Sequence, residues 1–156
     1  MNLAYLKSDP AEGAIAVSGA FPAPVDRVWR AWTVPEQFIR WFGREGGAKE
    51  FEADVRVGGR WRLEFDMGDA PNALEGEYLV VEENARLVFT WTHVRETPEG
   101  ETVSSPQSTV SVIFRQIEGG TELSLTHTGV QTLDARQGIS HGWDACFVRL
   151  LAILES

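Results

Sequence analysis

Phe21-Pro-Ala-Pro-Val-Asp-Arg-Val-Trp-Arg-Ala-Trp-Thr-Val-Pro-Glu-Gln-Phe-Ile-Arg-Trp-Phe-Gly43 holds three of the chain's six tryptophans and two proline-started helix signals. Pro24 suits a first helical position, where a missing N–H costs nothing, and Asp26 in the first turn complements the helix dipole. Val25, Val28, Trp29 and Trp32 then share one face at three- and four-residue spacing. Thr33 and Pro35-Glu36 restart a second helix with Phe38, Ile39, Trp41 and Phe42 on its apolar side, and Gly43 and Gly46-Gly47 end it. Two short helices this rich in tryptophan cannot bury themselves, so they must pack onto something larger.

Beyond them the period changes from helical to two. Glu50 to Val57 alternates imperfectly and Gly58-Gly59 turns the chain. Arg60 to Asp66 then places Trp61, Leu63 and Phe65 on one face and Arg60, Arg62, Glu64 and Asp66 on the other. Gly68 to Asn72 is expected to be a turn or loop, Leu74 to Glu82 a strand and Asn84-Ala85 a turn. Arg86 to His93 puts Leu87, Phe89, Trp91 and His93 on one side. Glu96 to Gln107, with two prolines and a glycine, is expected to be a polar loop. Ser108–Glu118 and Thr121–Thr128 flank Gly119-Gly120, a hairpin signal. Val110, Val112, Phe114, Leu123, Leu125 and His127 share its apolar face. The chain closes with a helix from about Leu133–Gln137 to Glu155, whose stripe is Trp143, Cys146, Phe147, Leu150, Ile153 and Leu154.

With an initial strand at Ala14 to Ala20, these elements predict an α+β fold. Its antiparallel sheet of six to seven strands, with two small helices after the first, must curl so that one apolar face wraps the long C-terminal helix. Such a curl commonly leaves a space between sheet and helix, a natural place for a ligand.

The totals narrow the function. A length of 156 residues predicts a single domain, residues 1–156 with a core at about 14–155, and an apolar fraction of 43% is enough to build that core. A formal net charge of −9 opposes a nucleic-acid groove, whose affinity comes from neutralising phosphates, and equally a dock on anionic lipid. No run approaches the ~20 apolar residues of a membrane span. Met1 to Pro10 lack the basic start and apolar stretch of a secretory signal, and the single cysteine, Cys146, excludes an internal disulfide framework. A cytoplasmic location is expected. Nothing in the pattern decides between a monomer and a homodimer.

The sequence resembles the SRPBCC superfamily of START-like, helix-grip proteins. Within it, it is most similar to the family related to the C-terminal domain of the activator of the heat-shock-protein-90 ATPase. Three segments carry the likeness: Ala23 to Thr33 with Trp41-Phe42; Gly76-Glu-Tyr-Leu79 leading to Arg86-Leu-Val-Phe-Thr-Trp91; and Gly142-Trp143 opening the terminal apolar helix. The resemblance implies a cavity between sheet and terminal helix, in a family whose members mostly lack an assigned reaction.

No catalytic, cofactor or metal motif is present, and no cofactor is expected. By strand parity His93 and His127 face the terminal helix, and His141 lies near that helix's start. Three converging imidazoles can hold zinc, but this spacing matches no zinc motif. A neutral imidazole can instead bond a polar ligand atom or act as acid or base, its pKa lying near neutrality; a structural, hydrogen-bonded histidine is the leading reading of each. Trp61, Phe65, Tyr78, Trp91, Trp143 and Phe147 point toward the expected cavity, where large rings either fill the space or line a pocket. With His93 and His127 they form the candidate ligand-binding set. Gly142, a glycine inside a helix, suggests close backbone approach, tight packing beside Trp143 being preferred. Cys146 shares the helix face and is expected to be a buried thiol.

The leading expectation is a domain that binds a small, largely apolar ligand. The second is an enzyme of cyclase, dehydratase or hydrolase type using His93 or His127, and the third a chaperone-interacting module. The expected entrance lies where the second small helix, the 96–107 loop and the start of the terminal helix near His141 meet, with Trp41 and Phe42 at its rim.

Overall fold

The structure, a computed structural model, describes residues 6–7, 14–42, 48–67 and 70–155. In order, the elements are β1 (Leu6–Lys7), β2 (Ala14–Phe21), α1 (Val25–Thr33), α2 (Pro35–Phe38), β3 (Ala48–Ala53), β4 (Arg60–Met67) and β5 (Ala70–Glu82). They continue with β6 (Arg86–Glu96), β7 (Thr102–Ser104), β8 (Ser108–Ile117), β9 (Gly120–Thr128) and α3 (Leu133–Glu155). All strand pairs are antiparallel, and the spatial order is β1-β2-β9-β8-β6-β5-β4-β3, with β7 pairing β6 beside that path. The two ends of this path do not pair with each other, so the curled sheet stays open. The seven long strands correspond to those expected from the sequence, although β3 ends at Ala53, four residues before the expected Val57. The two short ones, β1 and β7, are too brief for alternation to register.

The sheet grips α3 because one face of each carries the apolar side chains. Trp143, Phe147, Leu150 and Leu154 of α3 are buried in one cluster with Ile15 and Val17 of β2, Val110 and Val112 of β8, and Leu123 and Leu125 of β9. Ring contacts fix the crossing: Phe147 meets Phe21 of β2 edge-on at 5.7 Å, and Trp143 lies 5.5 Å from Trp91 of β6. Helices α1 and α2 close one end. Trp29 packs edge-on against Phe114, and Trp32 stacks on Trp143 at 6.2 Å. Arg27 of α1 donates to the carbonyls of Ile153 and Leu154, placing a cation at the C-terminus of α3, where the helix dipole favours it.

Several local expectations change. Pro24 is the extended cap residue and α1 begins at Val25. α2 is a single turn ending at Phe38, and looser turns carry the chain through Phe42. β5 starts at Ala70, so the loop expected at Gly68–Asn72 is mostly strand; Gly68 itself lies outside the described residues, as do Gly43, Gly46 and Gly47. The 96–107 loop contains β7, which folds back on β6. In the β8–β9 hairpin Ile117 pairs with Gly120, so the turn is Glu118-Gly119, with Gly119 at φ +80°, one residue earlier than expected.

Gly76 shows why the resemblance segment contains a glycine. It sits opposite Trp61 in the β4–β5 register, and a Cβ there would overlap the Thr90 carbonyl oxygen of β6. The missing side chain lets the Trp61 indole lie across the strand and donate to that oxygen at 3.1 Å.

Candidate functional site

A hollow of about 550 Å³ lies between β6, the start of β8, the β9–α3 connection and the first turns of α3. Its walls are Trp91, His93, Ser108, Val130 and Ile139, with the exposed residues Ser105, Pro106, Gln131 and Thr132 at the rim. A smaller hollow of about 140 Å³ shares Trp91 and Ile139 with it and reaches Phe42, Leu74, Trp143 and Cys146. No Asp, Glu, Lys or Arg lines either space among the described residues. The lining is apolar apart from a few hydroxyls, one amide and one imidazole, the make-up of a site for an uncharged molecule.

Helix α3 keeps this region open. Gly138 lines the larger hollow and Gly142 the smaller, four residues apart on one helix face, and a Cβ at either would meet nothing within 4 Å. Tight packing beside Trp143, expected for Gly142, is therefore not what the structure has. Each glycine costs helix stability of about 1 kcal/mol relative to alanine, and no close protein contact requires it.

Behind the cavity wall lies a directed chain of hydrogen bonds. The Trp143 indole N–H donates to His127 Nδ1 at 3.1 Å. An indole nitrogen can only donate, so Nδ1 must accept, and the neutral ring carries its proton on Nε2. That proton faces Ser108 Oγ at 2.7 Å, and the hydroxyl turns its own proton to the Trp91 carbonyl at 3.3 Å. His127 is fully buried, and burial lowers its pKa to about 4. The polarity is opposite to that of a hydrolytic triad, in which the third group accepts from Nδ1 and frees Nε2 to take the serine proton. In this arrangement His127 is a donor to Ser108 and cannot serve as its base.

His93 differs. It is half-buried on the cavity wall, Phe65 stacks on its ring at 5.9 Å, and Nε2 donates to Asn72 Oδ1 at 2.7 Å. Its Nδ1 has no hydrogen-bond partner among the described residues. Burial, then the nearby Arg95 charge, lowers its pKa.

Of the eight candidate residues, Trp91, His93 and Trp143 form cavity wall, and His127 stands one hydrogen bond behind it. Trp61 backs Trp91 from β4, at 6.2 Å between rings. Phe147 is sealed between Phe21 and Trp143. Phe65 borders a separate polar cleft of about 410 Å³ beside Arg62, Glu75 and Arg95. Tyr78 packs on Phe89 away from the cavity, its phenol pKa pushed up by burial and by Asp54. The inner face of the sheet is longer than the cavity. Sequence reasoning missed Ser108, Val130, Ile139 and Gly138; the Gly138/Gly142 spacing was the available signal. His141 is exposed, and the described residues contain no group of three or more His, Cys, Asp or Glu able to hold a metal. Trp41 and Phe42 are buried rather than at the rim. Trp41 donates to the Ala31 carbonyl at 2.8 Å, and Phe42 floors the smaller hollow. No helix of the described residues is long and apolar enough to cross a membrane.

Known proteins share this fold. A structure from Chromobacterium violaceum has a TM-score of 0.79 at 24% identity, covering 92% of this chain and 99% of that one. One from Mesorhizobium loti has a TM-score of 0.73 at 25% identity, covering 91% and 96%. DynU16, a protein in the dynemicin biosynthetic locus, has a TM-score of 0.72 at 26% identity over 92% of this chain and 48% of its own. No curated protein matches the sequence. The model of one family, activator of Hsp90 ATPase homolog 1-like protein, matches residues 22–155. A match of that length, on a helix-grip fold with α3 held in the sheet, makes this chain a member of the activator of Hsp90 ATPase homolog 1-like family.

Proposed function

We propose that this protein binds a small, uncharged, largely apolar molecule in the space between β6, β8 and the N-terminal half of α3. The carrying observation is a roomy hollow with no charged group in its lining among the described residues, bordered by two helical glycines that no protein contact requires. Its volume lies within the roughly 300–1,000 Å³ typical of small-molecule sites. The presence of DynU16, a 26% identical structure, in a biosynthetic locus supports a small molecule over a protein partner. The large exposed apolar side chains are a weaker motive for a chaperone surface, since Val57, Leu79, Val103, Ile113, Leu133 and Val148 are spread over the β3–β4 connection, β5, β7, β8 and α3.

Thermal-shift and native mass-spectrometric screening against neutral bicyclic aromatics tests this reading, with Gly138→Phe as the blocked control. Ligand-dependent stabilisation of the parent protein that disappears in the variant is the expected result. Stabilisation that persists undiminished in folded Gly138→Phe refutes the location, and no stabilisation by any such compound refutes the reading.

A second reading rests on His93. A half-buried imidazole with one nitrogen held by Asn72 and the other without a partner among the described residues can move a proton at a bound ligand. Turnover of a bound compound by the parent protein and its loss in His93→Gln, with binding retained, would establish this role. Equal turnover by both would remove it.

A further inference from the structure

We propose that the cavity recognises a neutral carbonyl oxygen on its ligand, received by the hydroxyl of Ser108. The inference rests on the ligand-binding reading above and adds the chemistry of the polar contact. Ser108 is the buried hydroxyl on the cavity wall, and His127 Nε2–H already donates to it at 2.7 Å. Its own single proton points to the Trp91 carbonyl at 3.3 Å, beyond the usual range for an O–H···O bond. The hydroxyl is therefore polarised by a short incoming bond and poorly used as a donor, so a ligand acceptor at normal distance improves on its present partner. Among the described residues no Lys or Arg lines this wall, so a carboxylate there would lack a cation in direct contact, at a large desolvation cost. A ketone, quinone or ester oxygen carries no such penalty.

His127 and Trp143 are positioning residues in this scheme. The indole N–H fixes the imidazole tautomer, and the tautomer fixes which way the Ser108 proton faces. Without the indole donor the ring is free to place its proton on Nδ1. Nε2 then accepts from Ser108, and the hydroxyl proton is withdrawn from the cavity.

The experiment is an NMR titration of the folded full chain with 1-tetralone, with tetralin as its carbonyl-free counterpart and with 1-naphthoate as the charged one. The parent protein is expected to bind 1-tetralone roughly three- to tenfold more tightly than tetralin, the range for one buried neutral hydrogen bond, and 1-naphthoate most weakly. Ser108→Ala should keep tetralin binding and bring the ratio to about one. Trp143→Phe, which retains an aromatic ring but removes the N–H, should also collapse the ratio even if both affinities change. That outcome is one a purely space-filling tryptophan would not give. Equal binding of tetralone and tetralin to the parent, or an unchanged ratio in Ser108→Ala, overturns the carbonyl assignment and leaves apolar binding standing. Tightest binding of naphthoate overturns it as well. Binding of none of the three overturns both the assignment and the reading beneath it.

Discussion

Acidification should destabilise this protein, in large part through His127. In the native state the ring is fully buried, its Nδ1 is occupied by the Trp143 N–H, and its pKa falls to about 4. In the unfolded chain the same ring titrates near its ordinary value of about 6.5. Between these values the unfolded state binds a proton that the native state does not, so stability falls as pH drops through this window and levels off below it. From the two pKa values the loss is about 2 kcal/mol between pH 7.5 and pH 5, and about 3 kcal/mol by pH 3.5. Carboxylates also respond to pH, so the measurement is a comparison with His127→Gln, whose amide does not titrate. Urea denaturation at pH 7.5, 6.5, 5.8 and 5.0 should show a stability gap favouring the parent at pH 7.5. That gap should shrink by about 2 kcal/mol at pH 5.0, on the order of 1 M in the difference between urea midpoints. A gap constant across the series would mean that His127 titrates alike in both states, and the buried, tautomer-fixed imidazole described above would be refuted.

Gly142→Ala should stabilise the fold by up to about 1 kcal/mol, because alanine is the better helix former and its Cβ meets no neighbour. In calorimetry a chain of this length should gain about 3 °C in Tm, whereas a fall would show that the backbone there is tightly packed after all. Gly76→Ala should act in the opposite direction. The added carbon overlaps the Thr90 carbonyl and crowds the Trp61 indole, so a loss of at least about 2 kcal/mol is expected from overpacking; an unfolding midpoint within error of the parent's would contradict the β4–β5–β6 geometry.

Much of the architecture was written in local pattern. Proline and acid placement in the 21–43 stretch marked α1 and α2, period-two alternation and the turn residues between runs marked most of the long strands, and a helical stripe from Trp143 to Leu154 marked α3. These signals are legible because each reflects which side of an element meets water, a property of neighbouring residues. The elements that escaped notice, β1 and β7, are two and three residues long. Each is held by a partner strand rather than by its own pattern.

The candidate site was legible only as a face. Parity placed Trp61, Phe65, Trp91 and His93 on the inner side of the sheet, but alternation repeats along a whole strand and does not mark where the helix stops filling the concavity. That limit is set by how α3 lies against β6, β8 and β9, with Gly138 and Gly142 leaving its near face bare. The role of His127 was beyond reach for a related reason. The residues that fix its tautomer, Trp143 and Ser108, lie 16 and 19 positions away in the chain on other elements. The sequence by itself determined the elements, their inward faces and the family, since these follow from short-range periodicity and recognisable local segments. The tertiary structure alone decided where the cavity lies and which way its hydrogen bonds run, because empty volume and donor direction depend on atoms brought together only when the sheet curls around the helix.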